Sequence, residues 1–363
     1  TAIAAAYCLP ADAAEARSAA HALLDTLQDE CGWLYEVEPP LSLLPEATDY
    51  VIWSEVYRCP RCGVEAPFSD TGFDFSTRRP LGLSTCSSCG QETDPDHLER
   101  CTDASGAMLE VPVRVKYLHR GAREQDVTEA DRELLQRVEE TTIPFASPDD
   151  WMMGQEPTEK GWGDMWRRGY HTGVLRASDF YYKRSLWVIA AALHYLQRMS
   201  CSPSVGHLLR VSVVNASLNL TKMHRGYQGP VPLVLYLPRL RRERNAIVAL
   251  RSRLETTIAA VESLPRRGGV RISTQSSTSL PQVPDASVDY IFTDPPFGQN
   301  IIYSEVNFLW ETWLGVRTNQ QPEAIVSKRQ RKGIAQYQEL MERCFSEAHR
   351  ILKSGRWITV EFH

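Results

Sequence analysis

Val288-Asp289-Tyr290-Ile291-Phe292-Thr293-Asp294-Pro295-Pro296-Phe297-Gly298 is the stretch that decides the fold. Residues 288–293 have the texture of an apolar strand, and two consecutive prolines then stop it in a stiff turn. Upstream, Val270-Arg271-Ile272 is a second β-rich run, separated from the first by polar turn residues. Downstream, Val306, Leu309, Trp310 and Trp313 mark a helix at about 304–314, and Leu340, Phe345 and Ile351 mark another at about 336–352. A final strand runs over Trp357-Ile358-Thr359-Val360-Glu361-Phe362. Further back, Val231 to Leu237 reads as a strand weakened by Pro232. A long helix follows, with Ile247, Leu250, Leu254, Ile258, Val261 and Leu264 on one face. Strands alternating with helices predict an α/β fold with a doubly wound sheet over 231–363. In such sheets ligands bind beyond the carboxyl ends of strands, which is where Asp294 to Phe297 fall.

The chain has 363 residues, 43% of them hydrophobic and 23% charged, with no apolar run near the roughly 20 residues that span a bilayer. A membrane role is therefore not expected. The net charge of −5 conceals an asymmetry. Residues 1–57 carry ten acidic side chains against Arg17 alone, whereas 222–271 carry eleven Lys/Arg against three Glu. The basic stretch suits a polyanionic partner. Segment 11–31, with Ala16, Ala20, Leu23, Leu24 and Leu27 at helical spacing, predicts an amphipathic helix; helices are also expected over 124–140 and from Asp179 to Met199. The expected organisation is a helical part of the core over 1–49, an insertion over 50–112, a mixed, helical region suited to target recognition over 113–230, and the catalytic core over 231–363.

Chemistry at the turn follows from the residue types. Two prolines remove two N–H donors and leave nearby carbonyls free to accept from an amino group. Asp294 adds an acceptor and Phe297 a face for a planar base. An exocyclic amine is a poor nucleophile because its lone pair is delocalised into the ring. Acceptors on both of its hydrogens favour a pyramidal nitrogen aimed at an electrophilic methyl group. A Pro-Pro turn after a strand, with an N-capping Asp, is the plain structural alternative.

The turn resembles the Asp/Asn/Ser-Pro-Pro-Tyr/Phe motif of the amino-methyltransferases that act on adenine N6 or cytosine N4. The resemblance extends over about 270–363: Ser276-Ser277-Thr278-Ser279-Leu280-Pro281, Pro284 to Asp289, Tyr303 to Glu311 and Leu352-Lys353-Ser354-Gly355-Arg356 all look like parts of a zinc-ribbon-containing branch of adenine-specific DNA methylases. Ser276 stands where that family carries an acidic residue against the cofactor adenine, and Ser354 stands where it usually has Pro. The resemblance implies a class I (Rossmann-like) methyltransferase sheet with an inserted zinc ribbon, a cytoplasmic enzyme and S-adenosylmethionine as donor. It places Asp294, Pro295, Pro296 and Phe297 at the target amine, with Asp294, Ser276 and Thr278 beside the donor. DNA is the implied partner, with restriction-modification or phage-defence proteins around it. The family's Gly-rich donor motif, Asp/Asn-Pro-Phe-x-Gly-x-Gly, does not occur in these residues. Ala2-Ile3-Ala4-Ala5-Ala6-Tyr7 resembles the helix after the next core strand, so the motif is expected upstream of Thr1.

Cys59-Pro60-Arg61-Cys62-Gly63 and Cys86-Ser87-Ser88-Cys89-Gly90 form two knuckles among nine cysteines. Each Cys-x-x-Cys turn aims two thiolates at one point and the following Gly permits a positive φ, so the four predict a closed, structural Zn²⁺ site. Free cysteines or a redox pair are the alternatives, with His97 and Cys101 as substitute ligands. Lys222, Arg225, Arg239, Arg241 and Arg242 are candidates for a phosphate-binding track, or else a solvated face. Trp151, Trp162, Trp166, Tyr170, Tyr181 and Tyr182 suit base stacking or, for most of them, core packing. The expected activity is DNA adenine N6 methylation. An RNA amino-methyltransferase and a non-catalytic zinc-ribbon DNA-binding subunit remain as alternatives.

Overall fold

The computed structural model describes every residue except 1, 10, 38–45, 105, 120–122, 157, 159, 160, 169, 232, 233, 265–268, 300 and 363. Its largest sheet is antiparallel and is centred on a 13-residue strand, β1 (Glu46–Arg58). β2 (Glu110–Tyr117) pairs with β1 on one side and β3 (Leu240–Arg244) on the other, while the short strands Glu36–Val37, Glu65–Pro67 and Glu99–Arg100 also pair with β1. β1 crosses the boundary expected at residue 50. The cysteine-bearing excursion is therefore narrower than the predicted insertion: it runs between Arg58 and Glu110 and stays tied to β1 through Glu65–Pro67 and Glu99–Arg100.

One face of this sheet packs on helices α1 (Ala13–Cys31), α2 (Glu129–Glu140), α3 (Lys183–Leu196), α4 (Pro203–Ser217) and α5 (Ala246–Ser263). Asp12 starts α1 by accepting from Glu15 N at 2.8 Å, and Asn245 starts α5 by accepting from Ile247 N at 3.0 Å. The stripe foreseen on α1 is buried at Ala16, Ala20, Leu23, Leu24 and Leu27. On α3, burial runs unbroken from Arg184 to Leu193, because neighbours cover it on several sides. The region 113–230 thus contributes to the same core as the N-terminal helix and stands as no separate unit.

Charge is buried here too. Alternation along β3 turns Arg241 and Glu243 toward the helices. Arg184 meets Glu243 in a two-pronged pair at 2.8 and 2.7 Å, with both side chains about 2% exposed or less. Arg241 pairs with Glu55 and, at 2.8 Å, with Glu110, which also takes Lys222 at 2.7 Å. Burial alone would raise the Glu110 carboxyl; Lys222 and Arg241 hold it below its ordinary value instead.

The C-terminal part carries β4 (Val288–Thr293), α6 (Phe308–Leu314), α7 (Ile334–Ile351) and β5 (Leu352–Val360). β4 and β5 run parallel, with Tyr290 opposite Trp357 and Thr293 opposite Val360. Among the described residues this is the only parallel pair, a two-stranded sheet, so the doubly wound sheet expected over 231–363 is not seen there. Residues 271–274 are irregular, not a strand. So are 235–238, and Pro232 lies outside the described residues. Tyr290, Phe292 and Trp357 are exposed on this pair, Trp357 by 78%. Parallel strands are ordinarily covered on both faces.

Candidate functional site

The strongest constellation is the thiolate quartet. Cys59, Cys62, Cys86 and Cys89 have all four sulfurs within 4.8 Å of one another. Cys59 to Cys89 and Cys62 to Cys86 are each 3.7 Å. A tetrahedron with metal–sulfur bonds of about 2.3 Å has edges of about 3.8 Å, so the cluster has the size that Zn²⁺ requires. The knuckles build it locally. Gly63 N donates to Cys59 O at 3.0 Å and Gly90 N to Cys86 O at 2.9 Å, with both glycines at φ near +70°. The backbone N–H groups of Cys62 and Arg61 point at the Cys59 sulfur and draw its pKa down to about 6. His97 and Cys101 lie outside the quartet: His97 ends the turn Pro95–His97, and burial pushes the Cys101 thiol up. Four thiolates on one ion would leave no place for water or substrate, the arrangement of a structural centre and not a catalytic one.

Asp294-Pro295-Pro296-Phe297 follows β4 at its carboxyl end, as its sequence demands. Asp294 is exposed and Pro295 buried. Tyr337, on α7, donates its hydroxyl to Pro296 O at 2.6 Å and so ties the turn to a helix. Phe297 meets Phe362 edge-on at 5.9 Å. Gly298, at φ +87°, turns the chain away, and its carbonyl accepts from Val326 N at 3.3 Å. Gln299, next to Gly298, lines a cleft of about 610 Å³ together with Asp164, Tyr170, His171, Tyr236 and Ser327, whereas Asp294 to Phe297 do not line it. His171 accepts from Arg167 N on Nδ1 at 2.9 Å and faces Leu235 O with Nε2, and burial lowers its pKa. The ring is thus neutral, with its hydrogen on Nε2.

Two residues that hold this site had no role assigned to them from the sequence. Glu305 is buried and accepts from Asp164 N at 2.7 Å and Met165 N at 2.8 Å, which fixes one wall of the cleft to the segment that follows the turn. A Cβ on Gly163 would lie 2.4 Å from that carboxylate, so the approach requires glycine. Glu305 lay inside Tyr303 to Glu311, a stretch that resembles the family, and is an acid at the start of an otherwise apolar helix; for Tyr337 there was no signal.

The remaining candidates are divided by the fold. Ser276 Oγ and Thr278 Oγ1 bond each other at 2.9 Å. Their loop continues to Leu280, which is tied to Glu347 and Arg350 near the end of α7. Ala286 and Ser287 then pair with Arg350 and Ile351 at the start of β4. Asp294 lies at the other end of that strand, six residues or about 20 Å away. The described contacts therefore do not assemble a donor seat from Ser276, Thr278 and Asp294. Of the basic candidates, Arg241 is 1% exposed and Lys222 is paired with Glu110, which removes both from a phosphate track. Arg239 is bound to Asp96 and to the Tyr57 hydroxyl, and Arg225 reaches Gly229 O at 2.8 Å. Arg242 points to the opposite sheet face from Arg241. Trp162, Tyr181 and Tyr182 are core residues, and Tyr182 stacks on Trp53 at 5.0 Å. Trp151 lies 3.9 Å from the Arg176 guanidinium, and Trp166 covers Gly161. Tyr170 is the one of the six that lines the cleft.

Compared with known proteins, the chain matches no family model, no curated protein and no solved structure. No helix among the described residues is long and apolar enough to cross a membrane.

Proposed function

We propose that the chain carries the amine-holding half of a nucleic-acid amino-methyltransferase site, acting on adenine N6 in DNA. The carrying observation is the Asp-Pro-Pro-Phe turn at the carboxyl end of a parallel strand, pinned by Tyr337, with a cleft large enough for a flipped base lined by Gln299, two residues past Phe297. The Asp294 carboxylate and the Pro295 carbonyl accept the two amine hydrogens and localise the nitrogen lone pair. Tyr337 occupies the Pro296 carbonyl instead, so the turn is held without spending the acceptor next to Asp294. Phe297 stacks on the ring, and the β4–α7–β5 unit stands as one repeat of a doubly wound sheet. S-adenosylmethionine would supply the methyl group; the described residues do not fit a seat for it at the turn. Zn²⁺ would sit in the quartet and stiffen the excursion that holds it.

The test is transfer from labelled S-adenosylmethionine to DNA by the protein and by Asp294→Ala. Loss of about 100-fold or more is expected, in line with removal of one preorganised polar group. Unchanged incorporation in the variant removes the site, and a preference for RNA as acceptor moves the activity to RNA. A second reading, a non-catalytic zinc-knuckle DNA-binding subunit, draws on the parallel sheet having two strands among the described residues. Calorimetry of the full-length protein with S-adenosylmethionine separates the two: heat of binding favours the enzyme, and its absence the DNA-binding subunit.

A further inference from the structure

The face of the large sheet opposite the helices presents an ordered array of cations. Strand register sets it: Arg242 on β3 and Arg114 on β2 both lie opposite Ile52 of β1, and Arg244 and Lys116 both lie opposite Tyr50. Two cations thus flank the central strand on each side, about 10 Å apart across it and about 7 Å apart along it. The excursion that carries the knuckles roofs the array with Phe75 and Arg78, leaving an open cleft of about 720 Å³. Aromatic rings hold the guanidinium groups in place. Arg242 lies 4.5 Å from the Tyr50 ring, Arg114 4.6 Å from Phe75, and Arg78 5.1 Å from Tyr227. Arg242 is further fixed by donating to Gly226 O at 2.6 Å.

Three carboxylates border the cleft. Glu124 accepts from the Tyr50 hydroxyl at 2.9 Å and from the Tyr227 hydroxyl, Asp49 meets Lys116 at 3.2 Å, and Asp126, 85% exposed, meets Arg114 at 2.8 Å. The solvent-facing Arg114–Asp126 pair contributes little and yields readily to a competing anion, whereas Asp49 is partly buried and Glu124 stays fixed by the two tyrosine hydroxyls at the edge of the cleft. Among the described residues no carboxylate pairs with Arg78 or Arg242. The local field is positive: burial first, and then Arg242, Arg244 and Arg225, bring His224 down to about 4.

We propose that this cleft seats the phosphodiester backbone of DNA. Cations stand on both β2 and β3, about 10 Å apart at the strands, and a chain of phosphates can engage both rows together. Because the rings are already covered by guanidinium groups, the cleft is suited to positioning a backbone and not to reading bases. The choice of DNA over RNA rests on the methyltransferase reading, but the binding surface itself does not.

The experiment is a fluorescence-anisotropy titration of labelled duplex DNA with the zinc-loaded chain across a series of chloride concentrations. It uses Arg114→Gln/Arg242→Gln, with Lys116→Gln as a milder second variant, and checks each variant's melting curve and zinc content. Each lost phosphate contact should lower the slope of log affinity against log salt by about 0.9, so the double variant should lose close to two, with about tenfold or more in affinity at low salt. Inorganic phosphate should compete no better than chloride at equal ionic strength. Unchanged affinity and slope in folded variants overturn the assignment, as does specific displacement by inorganic phosphate. Tighter, equally cation-dependent binding of RNA overturns the choice of DNA. No methyl donor is present, so failure here leaves the methyltransferase reading standing. Conversely, cation-dependent DNA binding without methyl transfer removes only that reading.

Discussion

Tyr337 and Asp294 divide the turn between them. Tyr337 touches the Pro296 carbonyl, not the amine, and is a positioning residue. Tyr337→Phe is expected to cost about 1 kcal/mol, some fivefold in transfer rate, with DNA affinity unchanged, because one hydrogen bond to a partly exposed carbonyl is lost. A rate loss as large as that of Asp294→Ala would give Tyr337 a direct part in the reaction. His224 offers a second test at this scale. Its folded pKa of about 4 lies below the unfolded value of about 6.5, so the unfolded chain binds the extra proton between those values. Stability from keeping the ring neutral is therefore complete above about pH 6.5 and falls as pH drops toward 4, by up to about 3 kcal/mol. Thermal melts of the protein and of His224→Gln over pH 4–7.5 check this; a variant with the same acid slope assigns the loss elsewhere. Asp294 was legible in the sequence because a motif surrounds it. Tyr337 was not, because its role depends on α7 lying beside the turn, a contact across 41 residues.

The excursion between β1 and β2 is the element with its own chemistry. Its strands are two or three residues long, and small pieces of that kind need a staple in place of a core. Cys62→Ser, or chelation of the metal, is expected to release about one Zn²⁺ per chain and open residues 59–109 to protease while the helical core keeps its protection. Plasma emission spectrometry with limited proteolysis measures both. Retention of zinc by Cys62→Ser, or simultaneous loss of the helices, would contradict a local structural role. The knuckles were readable because ligand spacing is local. The extent of the insertion was not: Tyr50, Ile52 and Tyr57 look like parts of the cysteine-rich segment, yet they belong to the strand that centres the main sheet.

For the whole molecule, the buried ion pairs join the sheet to the helical layer. Arg184→Ala leaves Glu243 buried with, among the described residues, only the Trp53 indole N–H, at 2.8 Å, as a side-chain donor. A loss of about 3–5 kcal/mol is expected, because an uncompensated buried charge is costly. Denaturant unfolding measures it, and a loss below about 1 kcal/mol would show the pair to be solvated. The sequence alone determined what depends on near neighbours: the helix over 13–31, the helix from Ala246, the strand into Asp-Pro-Pro-Phe and the four thiolates. Periodicity, capping and turn chemistry act within a few residues, and the chain states them directly. The tertiary structure decided which strands pair, and with that the use of every charge on them. Arg241 and Arg242 are adjacent and look alike in sequence. Strand alternation sends one into a buried ion pair and the other to a cationic cleft, and only the pairing of β1, β2 and β3 brings Arg114 and Lys116 to the same face. The Asp-Pro-Pro-Phe turn and the cysteine knuckles thus stood in the sequence, whereas the antiparallel sheet came from long-range pairing.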